Sequence, residues 1–255
     1  MAVPLQTVAP AACLERLRVT HSDGATATLH VASYDRTVFA PRVVALHDPA
    51  PLARWCEEHG VQHALVGGFF TRPGAVPLGQ LVIGGEAIPS VPFDSPWGLV
   101  RACVNICDDS IRIDRRDRLQ DAPCGDLLQA GPLLVSHGRP VVADGDDTEG
   151  FSAGSRQFDS DITLGRYPRA AFATAGDQLL AVACDGRADG DAGMTLTELA
   201  GVLVALGAEH ALNLDGGGSA SLVHEGRLRN RPREAHGIDL LDGRPVATAI
   251  AFETR

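Results

Sequence analysis

The feature that most constrains this sequence is a run of three glycines directly after an apolar segment that ends in a carboxylate. Residues 211–221 read Ala-Leu-Asn-Leu-Asp-Gly-Gly-Gly-Ser-Ala-Ser. Glycine reaches positive φ without steric cost and lets a ligand approach the bare backbone. Asp-Gly alone is also a strong hairpin signal, but a two-residue turn leaves the third glycine unexplained. The run therefore predicts a strand that ends at a binding site around Asp215, with a plain turn as the alternative.

Neighbouring groups in the same run are the next candidates. Strand alternation places Asn213 on the same side as Asp215, where its amide would orient a sugar or the carboxylate. We expect backbone N–H groups and one hydroxyl to hold phosphate or developing charge, from Gly216, Gly217, Gly218 and Ser219. The run lacks the lysine of a P-loop, the last glycine of a dinucleotide-binding fingerprint and the pattern of a nucleophile elbow.

Charge and hydropathy exclude several classes of partner. The 255 residues carry a formal charge of −10, which argues against nucleic acid as the main partner. The sequence has no apolar run long enough to span a membrane. Its first residues lack the basic and apolar regions of a signal peptide, so we expect a cytoplasmic protein, or a secreted one if the sequence was shortened.

The patterning predicts many short strands and few helices. Runs typical of strands are 14–20, 26–34, 37–46, 61–70, 97–107, 110–114 and 246–252. Thr195 and Glu198 form a capping box that begins the clearest predicted helix, which Gly207 ends. We expect one α+β domain over residues 1–255, with a largely antiparallel or mixed β-sheet core.

Two local features have alternative interpretations. The cysteines Cys103 and Cys107 would share one face of a strand, and we interpret them as buried thiols, with a disulfide as the lesser alternative. The acidic residues 144–149 resemble a calcium loop, but Glu149 stands where the EF-hand pattern requires glycine. A surface loop over residues 144–161 is the favoured interpretation, and a lid is a further one, so no cofactor is expected. A structural calcium ion is the alternative.

Several motifs occur together in a specific order. They are Gly67-Gly68-Phe69-Phe70, Ala130-Gly131-Pro132, Pro168-Arg169-Ala170, Asp185-Gly186-Arg187, the residues 193–200 and the glycine run at 212–219. In this order they resemble the phosphodiester glycosidase family. The resemblance covers residues ~60–255 and is strongest over 165–222.

The resemblance implies a hydrolase that removes a sugar joined through its anomeric carbon to a phosphodiester, so that the partner is a small-molecule substrate. In the family's animal member the sugar is N-acetylglucosamine. One departure is visible, because the family has asparagine before the Gly-Gly-Phe-Phe motif and this sequence has Val66. The departure implies altered substrate choice or a weakened site.

The chemistry of a glycosyl phosphate suggests a role for each candidate. The transition state resembles an oxocarbenium ion, and the leaving phosphate is charged. Carboxylates that could act as acid, base or cation stabiliser are Asp215, Asp185 and Glu198. For Glu198 we favour the structural alternative, because it completes the capping box. Arg169, at the matched Pro-Arg position, is the candidate that grips phosphate. Thr195, Gly67 and Gly68 are further binding candidates, although capping or tight packing explains them equally well.

Two other functions remain open at the level of the sequence. The substitution at Val66 favours a non-catalytic protein that binds a sugar or sugar phosphate. The acidic loop favours a calcium-dependent hydrolase. Sequence alone does not distinguish these from the glycosidase.

Overall fold

The computed structural model, which describes residues 10–145, 147–152 and 162–255, is built from antiparallel strands. In chain order the described strands are β1 Ala12–Thr20, β2 Thr26–Asp35, β3 Phe39–Pro51, β4 Ala64–Val66, β5 Leu81–Ile83, β6 Glu86–Ala87, β7 Ala102–Cys107, β8 Ser110–Arg115, β9 Asp126–Gln129, β10 Leu133–Ser136, β11 Arg139–Pro140, β12 Arg169–Ala175, β13 Gln178–Cys184, β14 His210–Asn213, β15 Leu222–His224, β16 Arg227–Leu228 and β17 Pro245–Thr254. The described α-helices are α1 Leu52–His59, α2 Trp97–Val100 and α3 Leu196–Ala205.

These strands form three sheets. The largest has the order β1-β2-β13-β12-β14-β10-β11, the second has β16-β15-β4-β17-β3, and the third has β6-β5-β9-β7-β8. All strand pairs within the three described sheets are antiparallel. The α+β class with a largely antiparallel core is therefore confirmed.

Strand β14, which leads into the glycine run, lies inside the largest sheet between β12 and β10. Its residues Ala211 and Leu212 are fully buried. One apolar cluster includes residues of all three sheets, such as Phe172, Ile250 and Val104. The chain that leaves β14 is thus anchored in the core at its start.

Helix α3 forms where the capping box predicted it. The Thr195 hydroxyl accepts from the Glu198 N–H (3.1 Å), and the Glu198 carboxylate accepts from the Thr195 N–H (2.9 Å). The buried residues Leu196, Leu199 and Leu203 pack against the largest sheet. The helix stops before Gly207, whose φ of +85° suits glycine. It is the longest described helix, at ten residues, and no described helix is long and apolar enough to cross a membrane.

Two sequence-based interpretations need correction. The predicted strand 97–107 begins with the short helix α2, and only Ala102–Cys107 is extended. Cys107 is not a free thiol, because it forms a disulfide with Cys124. Strand β9 pairs with β7, and this pairing brings Cys124 beside the end of β7. Cys103 remains a buried thiol, as predicted.

A cluster of buried polar rings links β2, β4 and β15. The ring centroids of His63 and His224 lie 4.7 Å apart, and that of Tyr34 lies 5.3 Å and 5.9 Å from them respectively. His224 is 3% exposed, and neither of its ring nitrogens has a hydrogen-bond partner among the described residues. Burial, together with the charges of His63 and Arg229, lowers the pKa of His224 to about 4. The folded state therefore keeps this imidazole neutral.

The lowered pKa of His224 predicts acid-sensitive stability. In the unfolded chain histidine takes up a proton below about 6.5, whereas the folded protein resists doing so until about 4. The contribution of His224 to the free energy of unfolding is fully present above the pKa of the unfolded chain. It falls by on the order of 3 kcal/mol as the pH drops through this window. We expect the free energy of unfolding to decrease less in His224→Phe than in the wild type as the pH is lowered from 7 to 4. Urea denaturation at each pH measures this decrease.

The exposed histidine at position 47 provides the control for this comparison. We expect His47→Phe to keep the wild-type pH dependence. Identical slopes for His224→Phe and the wild type would show that the buried ring does not contribute.

Candidate active site

The glycine run joins the ends of two sheets. After β14 the chain continues through Asp215 into a short 3₁₀ turn, Gly217–Ser219. The Asp215 N–H donates to the carbonyl oxygen of Gly67 (3.0 Å), which directly follows β4 of the second sheet. The candidate carboxylate is thus held at the junction between the largest and the second sheet.

A cavity of about 470 Å³ opens at this junction. Its size is in the range of small-molecule binding sites. Its lining comes from loops that are distant in the chain: Phe69, Phe70, Thr71, Arg72, Leu78, Val91, Ile162, Tyr167, Pro168, Arg169, Arg187, Asn213, Leu214, Asp215, Gly216, Gly217, Glu234, Ala235 and Arg244. The cavity therefore brings together the predicted residues Asp215, Asn213 and Arg169 with two of the predicted glycines.

Asp215 lines the cavity and is half-buried. Burial raises the pKa of its carboxyl group, and this effect outweighs the Ser219 hydroxyl, the Arg244 charge and the Gly216 N–H, which all favour the ionised form. The Gly216 N–H donates to Oδ1 at 2.9 Å. Asp215 consequently retains its proton to a higher pH than an ordinary aspartate.

Glu234 is a second carboxylate of the cavity, and its environment acts in the opposite direction. Both Nε (2.7 Å) and Nη2 of Arg244 donate to its Oε1. This ion pair holds the pKa of Glu234 below its ordinary value. Arg244 also lies 3.4 Å through Nη1 from the hydroxyl oxygen of Ser219. A carboxyl group with a raised pKa and one with a lowered pKa in a single cavity form an arrangement that can supply an acid and a base.

Further arginines give the cavity a positive wall. Arg187 Nη1 donates to the carbonyl oxygen of Arg233 (2.9 Å), and a Cβ placed on Gly217 would lie 3.1 Å from the same nitrogen. The exposed Arg72 is close enough for its charge to lower the pKa of both Asp215 and Glu234. Guanidinium groups are well suited to phosphate oxygens. The wall therefore suits an anionic ligand.

Arg169, predicted to grip phosphate, is only 4% exposed where it lines the cavity. Its Nε donates to the Met194 carbonyl oxygen (3.1 Å), and its Nη2 donates to those of Ile162 (2.9 Å) and Gly165 (3.3 Å). These bonds tie neighbouring loops to β12. Arg169 thus stabilises the cavity wall in addition to facing the cavity.

Asn213 is 1% exposed and is one of the residues that line the cavity. Its Nδ2 donates to the carbonyl oxygens of Gly131 and Leu214, each at 3.0 Å. Its Oδ1 has no hydrogen-bond partner among the described residues, although it is buried. A buried acceptor without a partner is costly, so this amide is a strained feature of the cavity wall.

The glycines of the run mainly permit close packing. A Cβ on Gly216 would lie 2.7 Å from the Pro168 carbonyl oxygen, and one on Gly218 would lie 2.9 Å from Oε1 of Glu234. The Gly217 N–H, predicted as a phosphate donor, instead donates to the Pro168 carbonyl oxygen (2.9 Å). Ser219 is fully buried and acts through its hydroxyl on Asp215.

Asp185, predicted as a catalytic carboxylate, does not line this cavity. It is 3% exposed, with Oδ2 3.1 Å from His30 Nε2 and Oδ1 accepting from the Arg231 N–H (2.6 Å). The chain from Arg231 leads to Glu234. The structure thus gives Asp185 the role of anchoring the loop that carries the second carboxylate.

Glu198 and Thr195 also lie outside the cavity. Beyond the capping box, the Glu198 carboxylate accepts from Arg166 Nε at 3.0 Å and lies 3.0 Å from His21 Nδ1. These interactions use its oxygens to fix the start of α3 to neighbouring loops. The structure favours the capping interpretation for both residues.

Gly67 and Gly68 pack against β17 instead of lining the cavity. The Gly67 N–H donates to the Thr248 carbonyl oxygen and the Gly68 N–H to the Thr248 hydroxyl, both at 2.9 Å. A Cβ on Gly67 would lie 2.4 Å from that hydroxyl and 2.8 Å from backbone. Val66, where the family asparagine is missing, is fully buried in the core. The departure therefore lies away from the cavity wall.

The acidic loop does not assemble a cation site among the described residues, where no three metal-ligating side chains cluster. Asp147 accepts from the Phe151 and Ser152 N–H groups, and Glu149 accepts from those of Ala102 (2.8 Å) and Leu133 (2.7 Å). Burial raises the pKa of Glu149 to about 7. Asp146 and residues 153–161 of the predicted loop lie outside the described residues.

Another cavity, of about 270 Å³, lies beside this loop. Arg115, Arg118 and Glu149 line it together with the start of α3. It is distinct from the cavity that contains Asp215.

Comparisons with known proteins identify the family of this chain. The family model described as phosphodiester glycosidase matches residues 59–253. The chain belongs to the phosphodiester glycosidase family. A search of curated protein sequences gives no significant match.

Solved structures of similar fold include three from different organisms. One is the catalytic domain of zebrafish N-acetylglucosamine-1-phosphodiester α-N-acetylglucosaminidase, auto-inhibited by its pro-peptide. It is 18% identical to this chain with a TM-score of 0.72, and the match covers 100% of this chain and 87% of the zebrafish chain. A hypothetical protein from Synechocystis is 19% identical with a TM-score of 0.68, and the match spans 100% of this chain but 64% of that one. An exported protein of Burkholderia pseudomallei is 16% identical with a TM-score of 0.65, covering 90% and 74% respectively. At these identities the likeness shows a shared fold.

Sequence reasoning missed four charged residues of the site. Arg187 belongs to the motif Asp185-Gly186-Arg187, but the motif by itself indicates no role for the arginine. Arg244 lies in Gly243-Arg244-Pro245-Val246, far from the glycine run in the chain. Glu234 and Arg72 had no local signal, since neither adjoins the glycine run in the chain. Only the fold brings them to Asp215.

The packing of Gly67 predicts a large cost for a single methyl group. We expect Gly67→Ala to lower the free energy of unfolding by about 1–3 kcal/mol, because its Cβ would overlap the Thr248 backbone and side chain. Gly201→Ala on the exposed face of α3, where a Cβ meets nothing within 4 Å, should be neutral or stabilising. Chemical denaturation of both variants measures the difference, and equal stabilities would contradict the close packing.

Proposed function

We propose that this protein hydrolyses the bond between the anomeric carbon of a sugar and the phosphate of a phosphodiester. The observation that supports this most strongly is the pair Asp215 and Glu234, whose pKa values shift in opposite directions within one arginine-lined cavity. Membership of the phosphodiester glycosidase family supports the same reaction class. The zebrafish structure of similar fold is described as acting on an N-acetylglucosamine phosphodiester, so that sugar is the first to test.

The positive wall binds the phosphate in this proposal. Arg187 and Arg244 face the cavity from either side of the glycine run, and they are the groups that would hold the phosphate oxygens. They would also stabilise the charge that grows on the phosphate as the glycosidic bond breaks. Asn213, which lines the cavity beside Asp215, would help to position the sugar.

The two carboxylates divide the proton transfers. Asp215, whose pKa burial raises, donates its proton to the bridging oxygen as the bond from that oxygen to the anomeric carbon breaks. Glu234, which Arg244 keeps ionised, accepts a proton from the water that attacks the anomeric carbon. The products are the free sugar and a phosphate monoester. Asp185 and Glu198 have structural roles in this mechanism.

The direct test uses α-N-acetylglucosamine 1-(methyl phosphate) with Asp215→Asn. We expect the wild type to release the sugar and the variant to lose at least about 10²-fold in kcat, the typical contribution of a positioned acid. Asp48→Asn, at an exposed carboxylate, is the matched control and should retain full activity. Binding without turnover by the wild type would favour a non-catalytic binding protein.

Isotope labelling locates the bond that breaks. In ¹⁸O-labelled water the label should enter the sugar, because water attacks the anomeric carbon. Label in the phosphate monoester would show cleavage at phosphorus and would contradict the assigned roles.

The pH dependence of kcat/KM tests the ion pair of Arg244 and Glu234. Activity should fall on the acid side as Glu234 is protonated and on the alkaline side as Asp215 ionises. Arg244 lowers the pKa of both groups, so Arg244→Gln should move both limbs to higher pH as well as reducing activity. Arg54→Gln, at an exposed arginine of α1, should leave both limbs in place. Unmoved limbs in Arg244→Gln would refute the assignment.

A further inference from the structure

The cavity has an apolar wall that the proposed chemistry does not use. It consists of Phe69, Phe70, Leu78, Val91 and Ile162. The Leu78 N–H donates to the Phe69 carbonyl oxygen (2.8 Å), and Leu78 pairs with Val91. Phe70 pairs with Pro77, whose carbonyl oxygen accepts from the Val91 N–H (2.8 Å). These contacts make the wall continuous.

Exposure distinguishes the floor of the cavity from its rim. Asn213 is 1% exposed and Phe69 is 6% exposed, so both lie deep. Val91 is 37% exposed, and Arg72 is also exposed, so both lie at the rim. Phe70 is half-buried and stands two residues before Arg72, which places an apolar ring and a positive charge on one loop. The rim thus combines a cation with apolar surface.

A phosphodiester has two organic groups, here a sugar and an alcohol, and different parts of the cavity wall suit each of them. The sugar's hydroxyls need polar partners, and the polar residues Asn213 and Asp215 line the cavity on the side of the glycine run. The phosphate needs the arginines. The alcohol on the other side of the phosphate therefore lies at the rim, where Phe70 and Val91 present apolar surface. Large apolar side chains exposed at a site indicate an apolar ligand group.

We infer that the alcohol esterified to the phosphate carries an alkyl or aryl group that packs on Phe70 and Val91. This inference rests on the proposed function for the identity of the substrate, but the preference for an apolar ester is a separate property of the rim. Burial of even two methylene groups against this surface corresponds to about a tenfold gain in affinity.

The experiment uses two phosphodiesters without sugar, so that it does not depend on turnover. Methyl hexyl phosphate is compared with methyl 2-(2-hydroxyethoxy)ethyl phosphate, which has the same chain length but polar oxygens. By isothermal titration calorimetry of the wild type, we expect the hexyl ester to bind at least about tenfold more tightly. Equal affinities, or no measurable binding of either ester, would overturn the inference.

Variants at the rim assign the preference to its residues. Val91→Ser should reduce the ratio of the two affinities about fivefold, because it removes apolar surface. Phe70→Ser removes more apolar surface and should make the two affinities equal. Val38→Ser is the matched control, since Val38 has the same 37% exposure and lies outside the cavity. An unchanged ratio in both rim variants would show that the apolar group binds elsewhere.

A turnover comparison separates this inference from the proposed function. If the hexyl ester binds better but no glycosyl phosphodiester is cleaved, the proposed function fails and the rim preference stands. If α-N-acetylglucosamine 1-phosphate esters of methanol and hexanol are cleaved with equal kcat/KM and the sugar-free esters bind equally, the function stands and the inference fails.

Discussion

The hydrogen bond from the Asp215 N–H to the Gly67 carbonyl oxygen is the contact on which the geometry of the site depends. It joins the end of β14 in the largest sheet to the end of β4 in the second sheet. The close approach requires that Gly67 have no side chain, since Thr248 fills the space where a Cβ would be. Tight packing in the core thereby fixes a carboxylate at the edge of a cavity, and precise placement on rigid elements is what a reactive group needs.

The two carboxyl groups of the cavity have pKa values that shift in opposite directions. Asp215 loses hydration and favours its neutral form, whereas Glu234 is paired with Arg244 and favours its charged form. Both groups are carboxylates of similar intrinsic acidity, so the difference comes from their surroundings. The loop that carries Glu234 is itself anchored through the Arg231 N–H to buried Asp185. A carboxylate outside the cavity thus helps to position one inside it.

The sequence predicted those parts of the structure that depend on local patterns. The capping box of α3, the strand before the glycine run and the antiparallel sheets follow from neighbouring residues. Asp215 and Asn213 were predicted as site residues because they adjoin the glycines, and both line the cavity. Arg244 and Glu234 are brought to Asp215 by long-range pairing, and the partner of Cys107 depends on how β9 pairs with β7. Asp185 and Glu198 share their residue type with catalytic acids. The capping box already favoured a structural role for Glu198, whereas the contacts of Asp185 with His30 and Arg231 depend on the fold.

The central claim is that a glycosyl phosphodiester binds with its phosphate on Arg187 and Arg244 and its anomeric carbon beside Asp215. The most direct measurement is a crystal structure of Asp215→Asn with α-N-acetylglucosamine 1-(methyl phosphate) bound. The account predicts phosphate oxygens within hydrogen-bond distance of both guanidinium groups and the anomeric carbon next to residue 215. A ligand bound in the other cavity, beside Arg115 and Arg118, with the Asp215 cavity empty, would contradict it.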